Sequence, residues 1–228
     1  TTGVKAEAYD LEGNRVSQSY REYPLIKPRP DWVEEDAENS WWGCTRDCIR
    51  EMIIEKGLNP ERIAGLSTSC TNALVPVDKN GKALYNGIIQ LDKRTIKQAD
   101  YIKKKMGDRI PQRTGNQVAA GGTSAPIILW FKENEPEIFE KTYKFLWPGG
   151  FTVLKLTGEF TMEWSRASWT CLFDTRDKKD WIPEFCNELG IPMEKLPKTF
   201  PSWEIVGGVT KKASEETKQN IVKGFKQD

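Results

Sequence analysis

The stretch that decides the fold class is residues 39–67, NSWWGCTRDCIREMIIEKGLNPERIAGLS. Its apolar residues recur mostly three or four positions apart, which predicts a helix capped at Asn39 or Ser40. Gly57 then stands where a helix commonly ends in a left-handed conformation. The short apolar run at residues 63–67 is typical of a strand buried on both faces. A helix leading into such a strand predicts a crossover unit in an α/β sheet.

The residues around this stretch agree with an α/β domain. Before it, residues 4–8 alternate apolar and polar, residues 10–14 supply turn chemistry, and residues 15–23 return, so the pattern predicts a hairpin. After it, helices are predicted over residues 95–106, from Thr123 or Ser124 onward, over residues 137–146 and over residues 182–189. The later half of the chain is therefore expected to be mostly helical.

Composition excludes several classes of function. The 228 residues carry 34 basic and 33 acidic side chains, so no general attraction to nucleic acid or to an anionic membrane is expected. Histidine is absent, which excludes a His-containing zinc site and a triad with a His base. The five cysteines are scattered, without a CxxC pair, so we expect free thiols, a reducing cytoplasm and no metal site.

Three segments, in order along the chain, carry a resemblance to a known family. They are residues 30–36, PDWVEED, with Trp41 and Trp42 following, residues 89–94, IQLDKR, and residues 122–134, GTSAPIILWFKEN. Further similarity runs through residues 156–158, 167–168 and 205–209. Together these segments resemble the FGGY family of carbohydrate kinases, and xylulose kinases are the nearest label by overall similarity.

The resemblance implies a ribonuclease-H-like fold, also called actin-like ATPase, in which helices flank a mixed sheet. Residues 1–210 would form the N-terminal, sugar-binding domain with its first strand truncated. Residues 211–228 would be an interdomain segment or a divergent, spliced tail. The C-terminal nucleotide domain would be absent from this chain.

The resemblance also implies a reaction, the transfer of the γ-phosphoryl group of ATP to a sugar or polyol hydroxyl with the help of Mg²⁺. A ketopentose such as xylulose is favoured. The catalytic base is expected downstream of this chain, so the isolated chain is expected to be inactive. The expected partners are the sugar and ATP, without nucleic acid or membrane, and a homodimer is an allowed assembly. The alternatives are a non-catalytic sugar-binding module and an actin-like interaction protein.

Site residues follow from the same resemblance. The phosphate-binding residues would be Thr1, Thr2 and Lys5, at the position of the family's phosphate loop. The sugar-binding residues would be Ser69, Cys70, Thr71, Asn72, Gln90, Asp92, Arg94 and Asn116. Asp92 would bind a sugar hydroxyl, which is the favoured role, or only pair with Arg94 to fix its loop.

The sequence departs from the family in the same region. The loop after the predicted buried strand lacks both the Gln-Met-His-Gly of xylulose kinases and the Arg-Glu of glycerol kinases. Gln90 stands where a Trp is expected. The reaction type is therefore better specified than the class of substrate.

Overall fold

The computed structural model describes residues 2–177, 179–218 and 225–227, the last three as backbone alone. Its strands are β1 (Gly3–Tyr9), β2 (Arg15–Glu22), β3 (Glu34–Glu35), β4 (Leu66–Thr68), β5 (Ala73–Val77), β6 (Gly87–Ile89), β7 (Lys144–Leu146), β8 (Thr161–Glu163), β9 (Lys198–Phe200), β10 (Ile205–Gly207) and β11 (Phe225–Gln227). Its α-helices are α1 (Cys44–Ile54), α2 (Ile96–Met106), α3 (Arg109–Thr114), α4 (Ser124–Asn134), α5 (Pro136–Lys141), α6 (Pro148–Thr157), α7 (Trp164–Ser168), α8 (Pro183–Leu189) and α9 (Lys211–Thr217).

The chain opens with the predicted hairpin. β1 and β2 pair antiparallel, with Ala6 opposite Ser19. The Asp10 carboxylate closes the turn because it accepts hydrogen bonds from the backbone N–H groups of Glu12 and Asn14. Helix α1 packs across this hairpin, and the Ser19 hydroxyl donates to the Glu51 carboxylate at 2.8 Å. The local turn chemistry of the sequence therefore fixes this unit.

The predicted helix starts earlier than expected. Asp36 caps it, since the Asp36 carboxylate accepts from the backbone N–H groups of Glu38 and Asn39, both at 2.9 Å. A π-helical segment, Ala37–Gly43, leads into α1. The widened turns bury Trp41 and Trp42 in the core. The helix itself is confirmed and only its cap is displaced.

The strand β4 corrects the prediction of a strand buried on both faces. Ala64 and Gly65 are exposed and Leu66 is only half-buried. One edge of β4 pairs in parallel with β11. The residues expected to be covered line a large cavity instead.

The buried sheet of the domain has the order β3-β6-β5-β7, paired antiparallel. β5 and β6 are wholly buried. The strand β7 corrects the helix predicted over residues 137–146, because α5 ends where Thr142 becomes extended. Parallel pairing occurs between β8 and β9 and between β4 and β11, so the pairing is mixed, as predicted.

Two apolar clusters lie on the helix-covered faces. One joins α2, α4 and α8, whose positions agree with the predicted helices, and contains Ile102, Phe131 and Phe185. The other lies between the π-helical segment and α6 and contains Trp41 and Phe151, whose rings meet edge to face. The sheet between them carries the candidate site at the ends of its strands.

Candidate functional site

The loop of residues 69–72 leaves β4 and enters β5, and Asn72 ties it to three other segments. The Asn72 carbonyl accepts from the backbone N–H of Gln90, and the Asn72 amide donates to the carbonyl of Gly122, both at 3.0 Å. The Asn72 Oδ1 atom accepts from the Arg166 guanidinium at 3.3 Å. Residues far apart in sequence therefore meet at this loop.

A glycine allows the close approach on one side of the site. Gly121 has a φ of +67°, and a Cβ atom there would lie 2.4 Å from the carbonyl oxygen of Asp92 and 2.9 Å from that of Gln90. A side chain at this position would clash with these carbonyl oxygens, and residues other than glycine rarely adopt a positive φ. Gly121 therefore holds the turn of residues 121–122 against the turn of residues 90–92.

Three predicted sugar-binding side chains have no hydrogen-bond partner in the part of the chain that the structure describes. Ser69 is exposed, and Thr71 and Gln90 are half-buried. Among the described residues, none of the three side chains makes a hydrogen bond. Their hydroxyl and amide groups can both donate and accept, which is the capacity that binding a polyhydroxylated molecule requires.

Cys70 lies at the floor of this loop. A Cβ atom at Gly149, in the first turn of α6, would lie 3.3 Å from the Cys70 sulfur, so the loop packs closely on that helix. Burial raises the pKa of the Cys70 thiol. Cys70 is therefore a neutral contact group rather than a thiolate nucleophile.

Asp92 and Arg94 occupy a different position from the open loop. The Asp92 carboxylate is fully buried and accepts from the backbone N–H of Val33 at 2.6 Å and from Arg94. The Arg94 guanidinium also pairs with Glu34 at 2.7 Å and lies 3.8 Å from the centre of the Trp32 ring. These contacts match the alternative in which Asp92 pairs with Arg94 and fixes the loop.

Asn116 is joined to the site through α7. The Asn116 amide donates to the Ser168 hydroxyl at 3.0 Å and to the carbonyl of Thr114. The same helix carries Arg166, which contacts Asn72. Asn116 is thus connected to the loop of residues 69–72 only indirectly, through Ser168 and Arg166 of α7.

The predicted phosphate-binding residues are only partly described. Thr1 lies outside the described residues, and Thr2 is exposed. Lys5 is exposed and pairs with Glu7 at 3.2 Å. Lys5 nevertheless lines the same cavity of about 1260 Å³ as Ser69 and Thr71.

Acidic and cysteine side chains are not clustered in the described part of the chain. No group of three or more of them in residues 2–177 and 179–218 is arranged to hold an ion. Magnesium in kinase sites is usually held by one or two carboxylates together with the phosphates of the substrate, so it does not require such a group.

Three residues of the site are missing from the sequence prediction. Gly121 and Gly149 hold the loops together, and Arg166 reaches Asn72 from α7. The adjacent glycine pairs at residues 121–122 and 149–150 were the available signal, since paired glycines often mark a close backbone approach. Arg166 had no such signal, because its contact depends on the fold.

Comparisons with known proteins agree with this architecture. The sequence profile of the FGGY family of carbohydrate kinases, N-terminal domain, matches residues 1–226. The chain belongs to the FGGY family of carbohydrate kinases. Among its relatives, a xylulose kinase of Bacillus subtilis is 31% identical over 95% of this chain and 43% of its own length. A glycerol kinase of Thermococcus kodakarensis is 34% identical over 91% of this chain and 42% of its own length.

Solved structures of FGGY kinases share the fold. The xylulose kinase of Rhodospirillum rubrum superimposes with a TM-score of 0.90 at 24% identity, over all of this chain and 47% of that one. The glycerol kinase of Plasmodium falciparum, solved with ADP, gives a TM-score of 0.86 at 23% identity, over all of this chain and 46% of that one. The ribonuclease-H-like, actin-like fold predicted from the sequence is therefore confirmed.

This FGGY chain spans less than half the length of these relatives. Within its described residues, no helix is long and apolar enough to cross a membrane.

Proposed function

We propose that this chain is the acceptor-binding half of an ATP-dependent kinase for a sugar or polyol. The reaction forms a bond between a substrate hydroxyl oxygen and the γ-phosphorus of ATP. It breaks the bond between that phosphorus and the β–γ bridging oxygen, and the hydroxyl proton passes to a base outside the described residues. ATP, when bound, supplies the phosphoryl group, and this chain's residues bind and orient the acceptor.

The observation that carries the proposal is a set of polar side chains at the loop of residues 69–72 that lack a hydrogen-bond partner within residues 2–177 and 179–218. Ser69, Thr71 and Gln90 offer hydrogen-bonding groups that no described residue satisfies. Two of them, Ser69 and Thr71, face the cavity that Lys5 also lines. An acceptor bound there would have a cation on the wall of the same cavity, which suits a reaction that moves phosphate charge.

The remaining predicted residues have supporting positions in this proposal. Asn72 and Asn116 hold the loop and α7 together, and Cys70 forms the floor. Asp92 and Arg94 set the position of Gln90 from the buried side. Thr1, Thr2 and Lys5 stay the proposed phosphate contacts, with ATP and Mg²⁺ as the proposed cofactors.

A neutral ketopentose such as xylulose is the favoured substrate. The open groups of the loop are uncharged, and burial keeps the Cys70 thiol neutral, so they suit hydroxyl groups better than a carboxylate. A relative named xylulose kinase supports a ketose, and relatives named glycerol kinase support a polyol. The cytoplasmic location and the homodimer remain predictions.

The test is ADP release by the complete protein that contains this chain. The panel should contain D-xylulose, D-ribulose, glycerol and D-gluconate, each with and without Mg²⁺. We expect turnover with a ketose or polyol and none with the 228-residue chain alone. ADP release no faster than the sugar-free background across the panel would contradict a kinase.

The same panel separates the two rival functions when it is repeated by calorimetry. A sugar-binding module would bind a sugar without any ADP release. An actin-like interaction protein would bind no sugar at all.

A further inference from the structure

The guanidinium of Arg166 lies beside the loop of residues 69–72. Its Nη1 atom donates to Asn72 Oδ1 at 3.3 Å, and its central carbon lies 5.5 Å from the centre of the Trp147 ring. Burial raises the pKa of the Cys70 thiol and the positive charge of Arg166 opposes this rise, so the guanidinium is close to Cys70 as well. The Arg166 side chain is still 22% exposed. A cation therefore stands at the loop with part of its surface open to a ligand.

Most of the N–H groups of this guanidinium have no partner in the part of the chain that the structure describes. An arginine side chain carries five such groups. Within residues 2–177 and 179–218, the bond to Asn72 is the only hydrogen bond that the Arg166 side chain makes. Its Nε atom is buried without a hydrogen-bond partner there, whereas the Nη2 group is not shut off from solvent. The open Nη2 donors indicate a ligand that brings an oxygen acceptor.

The neighbouring Glu163 indicates that this ligand is uncharged. The Glu163 carboxylate is 3% exposed and lies 3.5 Å from the Arg166 Nε atom, so the two charges balance each other. The same carboxylate caps α7, because it accepts from the backbone N–H groups of Ser165 and Arg166. A carboxylate on the ligand would meet the like charge of Glu163, and such an approach is unfavourable.

The donors and acceptors around Arg166 also favour a carbonyl over a hydroxyl. A guanidinium only donates, and a hydroxyl that accepts from it must still place its own proton. The nearby oxygens are already engaged, since Asn72 Oδ1 accepts from Arg166 itself and the Glu163 oxygens accept from backbone N–H groups. A carbonyl oxygen has no proton to place, so it suits this position better.

We propose that Arg166 is a specificity-determining residue that donates from Nη2 to the carbonyl oxygen of an open-chain ketose, while Nη1 keeps its bond to Asn72. The inference rests on the proposed function, in which this loop binds the acceptor. Ser69, Thr71 and Gln90 both donate and accept, so they suit the hydroxyl groups of the same ligand. Arg166 then distinguishes a ketose from the alditol that carries CHOH in place of the carbonyl, because a site built around a hydrogen bond rejects an analogue that cannot match it.

The test measures kcat/KM of the complete protein for pairs of substrates that differ only at the carbonyl. The pairs are D-xylulose with xylitol, D-ribulose with ribitol, and dihydroxyacetone with glycerol, and D-gluconate is the anionic comparison. Wild type is compared with Arg166→Met and with Arg166→Lys. Arg176→Met is the matched control, since Arg176 is exposed and donates to the carbonyl of Gln112.

We expect wild type to prefer the ketose in its best pair, and Arg166→Met to lower the ketose-to-alditol ratio about tenfold or more, the value of a hydrogen bond from a charged donor. Arg166→Lys should give an intermediate ratio, because lysine keeps the positive charge but not the planar guanidinium. Arg176→Met should keep the wild-type ratio. A purely structural role of Arg166 would lower kcat/KM for both members of a pair by the same factor.

An equal loss for ketose and alditol in Arg166→Met would therefore overturn the inference and leave the proposed kinase intact. If Arg166→Met does not fold, Arg166→Lys decides, and a wild-type ratio in that variant would overturn the inference. A wild-type preference for the alditol, or a loss confined to D-gluconate, would overturn it too. No turnover of any substrate by wild type would overturn the proposed function and this inference with it.

Discussion

Replacing Arg94 by Met is the sharpest test of the buried charge cluster that Arg94 forms with Asp92 and Glu34. The Arg94 side chain is 1% exposed and lies between Asp92, which is fully buried, and Glu34, which is 4% exposed. Methionine has a similar length but no charge, so the substitution leaves two buried carboxylates without their cation. It also removes the contacts of the guanidinium with the rings of Trp32 and Trp130.

The magnitude follows from this geometry. Breaking a buried ion pair by removing one partner costs about 3–5 kcal/mol of the free energy of unfolding. A cation over an aromatic ring adds about 0.5–2 kcal/mol, and these terms overlap. We therefore expect a loss of about 4–5 kcal/mol, or a Tm lower by roughly 8–20 °C for a domain of this size.

The assay is urea unfolding followed by tryptophan fluorescence, since the chain has nine tryptophans. Arg109→Met is the matched control, because Arg109 pairs with Glu188 but is 48% exposed, and its loss should cost under about 1 kcal/mol. Arg94→Lys should recover part of the loss, since lysine restores the positive charge but not the planar guanidinium group that donates several hydrogen bonds. A loss of stability in Arg94→Met no greater than that in Arg109→Met would refute the role of the buried cluster.

Three further predictions concern pH dependence and packing. Burial opposes ionisation of Asp174, but hydrogen bonds from the Asp177 backbone and from Arg113 outweigh burial and hold the pKa of Asp174 at about 2. The ionised Asp174 carboxylate therefore stabilises the fold above about pH 4, and this stabilisation is lost between about pH 4 and pH 2. Asp174→Asn should therefore flatten the decrease in unfolding free energy across that range, and an unchanged slope would contradict this. Burial raises the pKa of Glu35, so Glu35→Gln should stabilise the chain above about pH 5 and have no effect below about pH 4 in the same titration. A Cβ atom at Gly87 would lie 2.3 Å from the Trp41 ring, so Gly87→Ala should cost about 1–3 kcal/mol in urea unfolding, and a neutral result would show that the ring has room to move.

The sequence predicts the local elements well where one periodicity dominates. The helices α2, α4 and α8 have apolar residues at helical spacing, and α2 and α8 end at Gly107 and Gly190, directly after the predicted ranges 95–106 and 182–189. The helix prediction was wrong at β7, because a three-residue segment with two adjacent apolar residues fits either period. β4 was expected to be covered on both faces, and the cavity beside it explains why it is not.

The candidate site is less predictable from the sequence, because it depends on contacts between distant residues. The resemblance to the family pointed to the loop of residues 69–72 and to Gln90. It did not separate the open groups, such as Thr71, from the buried pair of Asp92 and Arg94. That distinction depends on burial and hydrogen bonding, which appear only when Val33, Glu34 and the aromatic rings come together in the fold.

The measurement that tests the central claim most directly is steady-state kinetics of the complete protein carrying Gln90→Leu. If the loop of residues 69–72 and Gln90 bind the acceptor, the KM for the sugar should rise about three- to tenfold, the value of one hydrogen bond, while the KM for ATP stays within about twofold. Gln112→Leu, an exposed change on α3, should leave both constants unchanged. An equal rise in both KM values, or no rise in either, would contradict the assignment of this chain as the acceptor-binding half.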